Sequence, residues 1–402
     1  MKIAIWHNLG SGGGKRALFN HVQTLKENGH YLESWTTDMS SDYLSLSGLI
    51  IENRKEIKTE FEILCKIKNQ IKKEQKIVKL INDHCIECVK EIESKEFDLI
   101  FANSCCITYM PYIGKFTKLP KIVYLGEPQR FLYEAMPDNI WQAPFKEFKY
   151  KKIKTYLKDL IINYSRRIKV RNEIEASKSY NKILVNSLFS RENVIRSYGI
   201  DASVCYLGIE TGKFITNIIK KEPYVVGLGS ITFLKSVHKA VEIIGKIPKG
   251  DRPVLKWVAN IADMFYLDEL IKMANKLEVD FQFYLNISDS ELVNIVSQAA
   301  IMIYTPSLEP FGLAPLEANA CGTYVVAIAE GGVRESITNG INGTLINGYK
   351  INELANVITL FVRDLDYAKT KGDNARTYVQ ENWNNKFMVN NILSEVESLL
   401  KK

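Results

Sequence analysis

The stretch that decides the fold is residues 309–317, EPFGLAPLE. It follows an apolar run, Ile301–Tyr304, that is predicted as a strand, and it opens a helix predicted near 312–321. Pro and Gly between the two are the usual marks of a turn. The stretch therefore predicts one strand–loop–helix unit of an alternating α/β domain.

The same alternation continues on both sides of this unit. The other predicted strands are Ile3–Trp6, Tyr31–Thr36, Leu99–Ala102, Ile122–Leu125, Ile183–Val185, Val225–Leu228, Leu255–Ala259, Phe281–Leu285 and Tyr324–Ala327. Helices are predicted between the later strands, near 235–246, 263–277 and 289–298. The charge-rich stretch 52–96 has apolar residues at helical spacing and is predicted as one or two long amphipathic helices. The pattern predicts two doubly wound α/β domains facing across a cleft, with a join near Leu207-Gly208-Ile209.

Two carboxylates bracket the N-terminus of the helix in the deciding stretch. If the interval is mostly helical, Glu309 and Glu317 are separated by about 12 Å along it, which is the reach from the diphosphate to the ribose of one nucleotide. We expect the N–H groups of Gly312 and Leu313 to meet phosphates, and Glu317 to accept hydrogen bonds from ribose hydroxyls. The alternative is an ordinary capped helix with exposed carboxylates. It suits Glu309 alone, but explains less well the Pro and Gly around the turn.

A glycine-rich loop, Gly10-Ser-Gly-Gly-Gly-Lys15-Arg16, follows the first predicted strand and opens a helix. Such a loop presents backbone N–H groups and the positive end of a helix to an anion. It matches neither the P-loop pattern nor G-x-G-x-x-G. A tight turn with close strand–helix packing is an equally good interpretation of this loop by itself.

The composition of the 402 residues excludes several classes of protein. With 46% hydrophobic and 25% charged residues, the chain is neither disordered, collagenous nor disulfide-stapled. It has no run of eighteen apolar residues and no signal-peptide pattern at its start, so a cytoplasmic location is expected. Seven Cys residues without a framework predict reduced thiols, and His84-Cys85-x-x-Cys88 is interpreted as buried thiols rather than a metal half-site. No recognised nucleic-acid-binding module is present, and no such partner is expected.

The net charge of +7 comes from one segment. Residues 144–182 hold 12 Lys and Arg against 4 Asp and Glu, so the rest of the chain has a net charge of −1. A helical stripe of apolar residues lies within it, at Ile153, Leu157, Leu160, Ile161, Tyr164 and Ile168. A basic amphipathic helix of this kind can lie on an anionic membrane, peripherally on its inner face. The alternative is a stripe that faces the protein core while the charges face solvent.

Several of these motifs together resemble those of one enzyme family. Residues 309–346, EPFGLAPLEANACGTYVVAIAEGGVRESITNGINGTLI, resemble the nucleotide-sugar site of the retaining family-4 glycosyltransferases, which have the GT-B fold and a Glu-x7-Glu signature. Residues 10–30, 185–214 and 372–385 resemble that family's Gly-Gly loop and helix, its interdomain segment, and the turn before its terminal helix. The resemblance implies an acceptor-side domain, 1–208, onto which a helix at about 384–402 packs back. It also implies a nucleotide-sugar-binding domain, 209–383.

The resemblance assigns roles to individual positions. Glu309 would lie near the reacting sugar, and Lys235 matches the Lys of a Gly-Arg-x4-Lys motif that neutralises the diphosphate. The expected nucleotide-sugar-binding residues are Gly13, Ser230, Asn286, Phe311, Gly312, Leu313 and Glu317. Residues expected at the sugar or acceptor are Gly12, Gly14, Glu127, Arg130, Gly331 and Gly332. For Glu127 and Arg130 a structural salt bridge is an equal alternative.

Two positions depart from the family pattern. Ser230 stands where the Gly-Arg-x4-Lys motif has its Arg, and Gly126 stands where relatives often have a His that reaches the sugar. Either the donor is bound differently, with Lys15, Arg16 or Arg334 compensating, or activity is reduced. No metal site is expected, because the family needs no metal ion and Asp364-Leu-Asp366 is better interpreted as a helix cap.

Two functional hypotheses follow. The first is a retaining, metal-independent hexosyltransferase that moves a sugar from a UDP-, GDP- or ADP-sugar, without a cofactor, to a hydroxyl of a glycan or lipid-linked acceptor. It would act in polysaccharide or glycoconjugate synthesis. The second is a catalytically weak GT-B protein that binds a nucleotide sugar or glycan as a scaffold or partner subunit.

Overall fold

The structure is a computed structural model that describes residues 1–133, 153–214 and 220–401. The chain forms two compact units. The first comprises Met1–Tyr206 and Val389–Lys402, and the second comprises Leu207–Met388. Among the described residues, no helix combines the length and apolar character needed to cross a membrane.

The first unit is built on a seven-stranded parallel sheet in the order β3-β2-β1-β4-β5-β6-β7. Its strands are β1 (Lys2–Asn8), β2 (Tyr31–Thr37), β3 (Ile51–Lys55), β4 (Leu99–Cys105), β5 (Lys121–Leu125), β6 (Lys182–Val185) and β7 (Ser203–Val204). Its helices are α1 (Gly13–Glu27), α2 (Lys58–Cys65), α3 (Gln70–Ser94), α4 (Arg130–Tyr133), α5 (Ile153–Ser179) and α6 (Leu188–Tyr198). The central strands are almost wholly buried, as expected for a parallel sheet covered on both faces.

The second unit has a six-stranded parallel sheet in the order β10-β9-β8-β11-β12-β13. Its strands are β8 (Glu222–Leu228), β9 (Val254–Ala259), β10 (Phe281–Leu285), β11 (Ala299–Tyr304), β12 (Val325–Ile328) and β13 (Gly343–Ile346). Its helices are α7 (Val237–Lys246), α8 (Met264–Lys276), α9 (Asp289–Gln298), α10 (Leu313–Ala320), α11 (Val333–Ser336), α12 (Ile351–Arg363) and α13 (Leu365–Asn382). The last helix, α14 (Asn385–Leu400), begins in this unit and ends in the first.

The predicted fold class is confirmed, since both units are doubly wound parallel sheets. The stretch 52–96 needs a correction. Its first residues belong to strand β3, and only the remainder forms the two helices α2 and α3. Strand β3 reads IENRK and lies at an edge of the sheet, where charged side chains are tolerated and an apolar run is not required.

Strand order reverses once in each sheet, and each reversal marks a crevice. In the first sheet it lies between β1 and β4, and in the second between β8 and β11. Helices on opposite faces diverge at such a point, so ligands of doubly wound sheets bind outside the carboxyl ends of these strands. The loops after β1, β4, β8 and β11 are therefore the places to look for a functional site.

Candidate functional site

Lys235 and Glu309 lie on either side of the reversal point in the second sheet. Lys235 lies in the loop after β8, and Glu309 lies in the loop after β11. Lys235 Nζ donates to Glu309 Oε2 over 2.7 Å, and both side chains remain partly exposed. The structure therefore brings together, at a partly accessible edge, the two residues to which the sequence assigns the chemistry.

Two further hydrogen bonds hold the same pair of loops together. Thr305 Oγ1 donates to the carbonyl of Ser236 over 3.1 Å, and Lys239 Nζ donates to Ser307 Oγ over 2.8 Å. Ser236 has a left-handed backbone, with φ of 51°, which turns the chain from the Lys235 loop into α7. The sequence gives no signal for these residues, because their partners lie about 70 positions away and no local spacing marks them.

Gly331 and Gly332 pack against the backbone of the Glu309 loop. A Cβ on Gly331 would lie 2.4 Å from the carbonyl oxygen of Glu309, and one on Gly332 would lie 2.0 Å from that of Pro310. The Gly332 N–H donates to the Glu309 carbonyl over 2.7 Å. In the described structure these glycines set the course of the loop that carries Glu309. Their expected contact with sugar stays a prediction.

Helix α10 begins at the turn that the deciding stretch predicts. Gly312 is its N-cap with φ of 94°, a left-handed conformation that favours glycine, and Leu313 is its first residue. The first turn carries no acidic side chain, so its positive end remains suited to an anion. Glu317 lies within the helix and is almost wholly buried, with 5% of its surface exposed.

Tyr304 is a polar residue of this region that the sequence did not single out. It ends strand β11, and a Cβ at position 312 would lie 3.6 Å from its hydroxyl. Burial, followed by the negative charges of Glu309 and Glu317, raises its pKa well above the ordinary range. The phenol therefore stays protonated beside the start of α10. The sequence gives no signal of a functional role for Tyr304, because it reads as the last residue of an apolar strand.

The C-terminus of α10 is held by two basic side chains. Lys221 Nζ donates to the carbonyls of Ser297 and Gly322 and to Thr323 Oγ1, at 2.8, 2.8 and 2.9 Å. Arg376 donates to the carbonyls of Ala320 and Cys321, at 3.1 and 3.0 Å. Cations are favourable at this end of a helix because its last carbonyls are otherwise unpaired.

The remaining residues of the second unit that are expected at the nucleotide-sugar site lie at separate places. Ser230 lies next to Thr232, with 3.4 Å between their hydroxyl oxygens, and its side chain supplies a hydroxyl where the family motif has a guanidinium. Asn286 follows β10 with a left-handed φ of 54° and is exposed. Phe311 is buried, and its ring centroid lies 5.6 Å from that of Trp383. Arg334 Nε donates to the carbonyl of Gly331 over 3.1 Å.

In the first unit, the glycine loop leads into α1 as predicted. Gly12 is the N-cap of α1 with φ of 137°, and Gly13 and Gly14 are its first residues. Lys15 is wholly buried, and its Nζ donates to Ser40 Oγ over 3.3 Å. The suggestion that Lys15 replaces the missing charge of a donor site is therefore not supported, because its amine faces the interior of the first unit.

Other positions of the first unit form local contacts. Glu127 Oε2 and Arg130 Nε lie 3.8 Å apart, as the salt-bridge alternative anticipates. Gly126 accepts a hydrogen bond at its carbonyl from Ser190 Oγ over 3.0 Å. His7 is buried, with Nε2 3.4 Å from Glu52 Oε1, and burial lowers its pKa to about 4.

The metal-like motifs have structural roles in the described residues. Cys85 and Cys88 are buried free thiols, and desolvation raises the pKa of Cys88 to about 12. Asp364 caps α13 by accepting from the Tyr367 N–H over 2.8 Å, as predicted. Within the part of the chain that the structure describes, no group of three His, Cys, Asp or Glu side chains is placed to hold a metal ion.

Part of the chain is similar in sequence to known proteins. Residues 208–378 match the family described as "Glycosyl transferases group 1". The chain is 29% identical over 227 residues to the D-inositol 3-phosphate glycosyltransferase of Mycolicibacterium smegmatis, covering 56% of this chain and 51% of that protein. It is 28% identical over 198 residues to the Mycobacterium tuberculosis protein of the same name, covering 45% and 41%. The matches span about half the length of these relatives or less.

Solved structures resemble the whole chain. Anabaena Alr3699/HepE in complex with UDP and glucose has a TM-score of 0.71 and 18% identity, with 99% of this chain and 100% of that chain covered. Sucrose-phosphate synthase from Thermosynechococcus elongatus has a TM-score of 0.73 and 18% identity, with 100% and 99% covered. These neighbours have the GT-B fold. The fold and the resemblance to glycosyltransferases that the sequence predicts are confirmed.

Proposed function

Because residues 208–378 match the group 1 glycosyl transferases, we propose that this protein transfers a hexosyl group from a nucleoside diphosphate sugar to a hydroxyl acceptor. Transfer is proposed to proceed with retention at the anomeric carbon and without a metal ion. The acceptor is proposed to be a glycan or a lipid-linked glycan, in glycoconjugate synthesis. The observation that carries the proposal is the Lys235–Glu309 contact at the reversal point of a doubly wound sheet.

The geometry suits the charges that develop during glycosyl transfer. As the bond to the diphosphate breaks, negative charge grows on the phosphate and positive charge grows on the sugar. Lys235 and the first turn of α10 supply positive charge that stabilises the phosphate, and Glu309 supplies a carboxylate that stabilises the sugar. Groups that are already oriented need no reorganisation at the moment of reaction.

We propose that the departing phosphate takes the proton of the acceptor hydroxyl on the same face of the sugar. The O–H bond of the acceptor and the bond from the anomeric carbon to phosphate then break while the new glycosidic bond forms. Glu309 is held by Lys235, which supports an electrostatic role for its carboxylate. Glu317, buried in α10, is proposed to hold the ribose.

The first experiment incubates the full chain with UDP-, GDP- and ADP-sugars and follows nucleotide release and thermal stabilisation, with and without sugar acceptors. UDP-glucose comes first, because the Anabaena neighbour is described in complex with it. Turnover supports the proposed transferase. The alternative is a scaffold that binds nucleotide sugar, and the absence of an Arg at Ser230 favours it. Binding without turnover across the acceptor panel would support that alternative.

Variants test the roles of the two carboxylates. We expect Glu309→Ala to lower turnover by about 100-fold or more. Nucleotide affinity should stay within about threefold, because the freed Lys235 still attracts the diphosphate. Glu317→Gln should instead weaken nucleotide binding by about tenfold, since it removes one charged acceptor.

Glu353→Ala is the matched control for Glu309→Ala. It removes a carboxylate from another Lys–Glu pair of the second unit, Lys350 Nζ to Glu353 Oε1 at 2.9 Å, whose side chains are exposed. This control should behave like the parent protein in both turnover and nucleotide affinity. Parent-like turnover by Glu309→Ala would show that Glu309 has been given the wrong role.

A further inference from the structure

The N-terminal half of α5 projects an apolar face away from the first unit. Its large apolar side chains are exposed, at 40% for Ile153, 53% for Leu157, 48% for Leu160, 45% for Ile161 and 48% for Tyr164. Of the side chains described between 153 and 164, none is buried. Further along the helix Glu173, Ala176 and Ser177 are buried, so the C-terminal half anchors α5 in the unit.

The exposed residues lie on one face of the helix. At 100° per residue, positions 153, 157, 160, 161 and 164 fall within an arc of about 100°. Twelve residues of helix make this face about 18 Å long. The alternative in which this stripe faces the core is wrong for these five residues, because their exposure excludes it.

Positive charge surrounds this face. Residues 153–171 contain six Lys and Arg and one acidic residue, Asp159. Lys154, Lys158 and Arg167 are exposed. Lys154 and Arg167 lie about 20° outside the two edges of the apolar arc, and Lys158 lies about 60° outside the edge next to Lys154. Asp159 lies on the opposite side of the helix, about 150° from the centre of the arc. The distribution of charge therefore complements an anionic surface that meets the apolar face.

We propose that the N-terminal half of α5 docks the protein on an anionic lipid bilayer. Apolar side chains would enter the boundary between headgroups and acyl chains, while the long stems of Lys154 and Lys158 would let their amines stay at the headgroups. A second copy of this chain fits the surface less well, because two such faces would bring their positive borders together. The segment 144–152, which adds further Lys residues, lies outside the described residues.

The proposal is tested by flotation of the full chain with vesicles. The vesicles contain phosphatidylcholine alone or phosphatidylcholine mixed with phosphatidylglycerol, at low and high NaCl. We expect association with the anionic vesicles only, and a strong loss of it at high salt. Lys154→Glu/Lys158→Glu should lower association about tenfold or more, since each basic residue near the surface contributes. Leu157→Gln/Leu160→Gln/Ile161→Gln should lower it at both salt concentrations.

Matched controls separate position from composition. Lys272→Glu/Lys276→Glu places the same two changes at the same spacing on the exposed face of α8, and Ile63→Gln changes another exposed apolar residue of the first unit. Both controls should bind vesicles like the parent. The folded state of each variant is checked by its thermal transition and by nucleotide binding, which are independent of lipid.

Three results would each overturn the proposal. They are equal binding to neutral and anionic vesicles, binding unchanged by the α5 substitutions, and no vesicle binding together with a dimer that the apolar triple variant dissociates. The last result would assign the face to a second copy of the chain. Because vesicle binding needs no donor, its failure is distinguishable from a failure of glycosyl transfer.

Discussion

His21 lies in α1 with its imidazole wholly buried. The ring lies edge-on to Tyr124, with 4.8 Å between centroids, and near Phe101 at 6.1 Å. Neither ring nitrogen has a hydrogen-bond partner among the described residues. Burial lowers the pKa of His21 to about 3, because the charged form would lose its hydration. The side chain therefore behaves as an aromatic packing residue that resists protonation.

This burial predicts a specific sensitivity to acid. An unfolded histidine titrates near pH 6.5, so between about pH 6.5 and 3 the unfolded chain binds a proton that folded His21 does not, and stability falls as the pH falls. His21→Phe should remove this effect. Between pH 7.5 and 5, the free energy of unfolding of the variant should fall by about 2 kcal/mol less than that of the parent. Urea denaturation at the two pH values measures it.

His30→Gln is the control for this prediction. His30 lies at the end of the turn after α1 and is only partly buried, so its replacement should change the acid sensitivity much less. His7 and His84, whose pKa values burial also lowers, stay the same in both variants. Identical loss of stability on acidification in His21→Phe and the parent would contradict the prediction.

At the scale of single residues, the sequence identifies Glu309 and Lys235 but not the contact between them. Each lies in a local motif, whereas their ion pair depends on two neighbouring strands, β8 and β11, that are far apart in the chain. Tyr304 and Ser307 give no local signal, because their roles come from what the fold places next to them. The sequence also suggests Lys15 as an accessible cation, and only the structure shows that it is buried.

At the scale of elements, α10 depends on what binds its C-terminus. Lys221 is almost wholly buried and reaches three oxygen acceptors at the ends of α9 and α10. Burial lowers its pKa to about 7, so near neutral pH it exists both as an ammonium with three N–H donors and as an amine with two. Only the ammonium can serve all three acceptors at once.

Lys221→Met should therefore loosen the end of α10. It keeps the side-chain stem but leaves buried acceptors unpaired, and we expect it to lower the free energy of unfolding by about 2 to 3 kcal/mol. Lys220→Met is the control, because it removes a neighbouring lysine that is exposed. Denaturant unfolding and amide exchange at residues 318–323 report the two effects. Equal unfolding midpoints for the two variants would show that Lys221 contributes no stability to this helix.

Three strands that the sequence did not predict share a physical reason. Strands β3, β7 and β13 lie at sheet edges, and β7 is only two residues long. An edge strand needs no continuous apolar run, so its sequence resembles a loop. Strands buried on both faces, such as β11 with six buried residues, were predicted within a few residues of their bounds. The apolar run that burial on both faces requires is the signal that β3, β7 and β13 lack.

At the scale of the whole molecule, the end of α14 completes the first unit. Val389, Ile392 and Val396 are buried at spacings that place them on one face of the helix. Lys182 Nζ, at the start of β6, donates to Glu395 Oε2 over 2.5 Å. The core of the first unit therefore depends on residues that follow the entire second unit in the sequence.

Ile392→Asp should destabilise the first unit selectively. It removes apolar contacts and buries an unpaired carboxylate, which together cost about 4 kcal/mol or more. Asn390→Asp adds the same charge at an exposed position of the same helix and should have little effect. Hydrogen exchange read by mass spectrometry should show faster exchange in β1, β4 and β5 and unchanged exchange in β8 and β11. Equal loss of protection in both sheets would contradict a selective effect.

The divided first unit has a consequence for biosynthesis. Residues 207–388, which form the second unit, are translated between the two parts of the first. At ordinary elongation rates this takes about 10 to 40 s. During that time the sheet of the first unit lacks the helix α14, whose buried face carries Val389, Ile392 and Val396. The second unit is continuous and can mature on the ribosome, whereas the part made first must wait for the part made last.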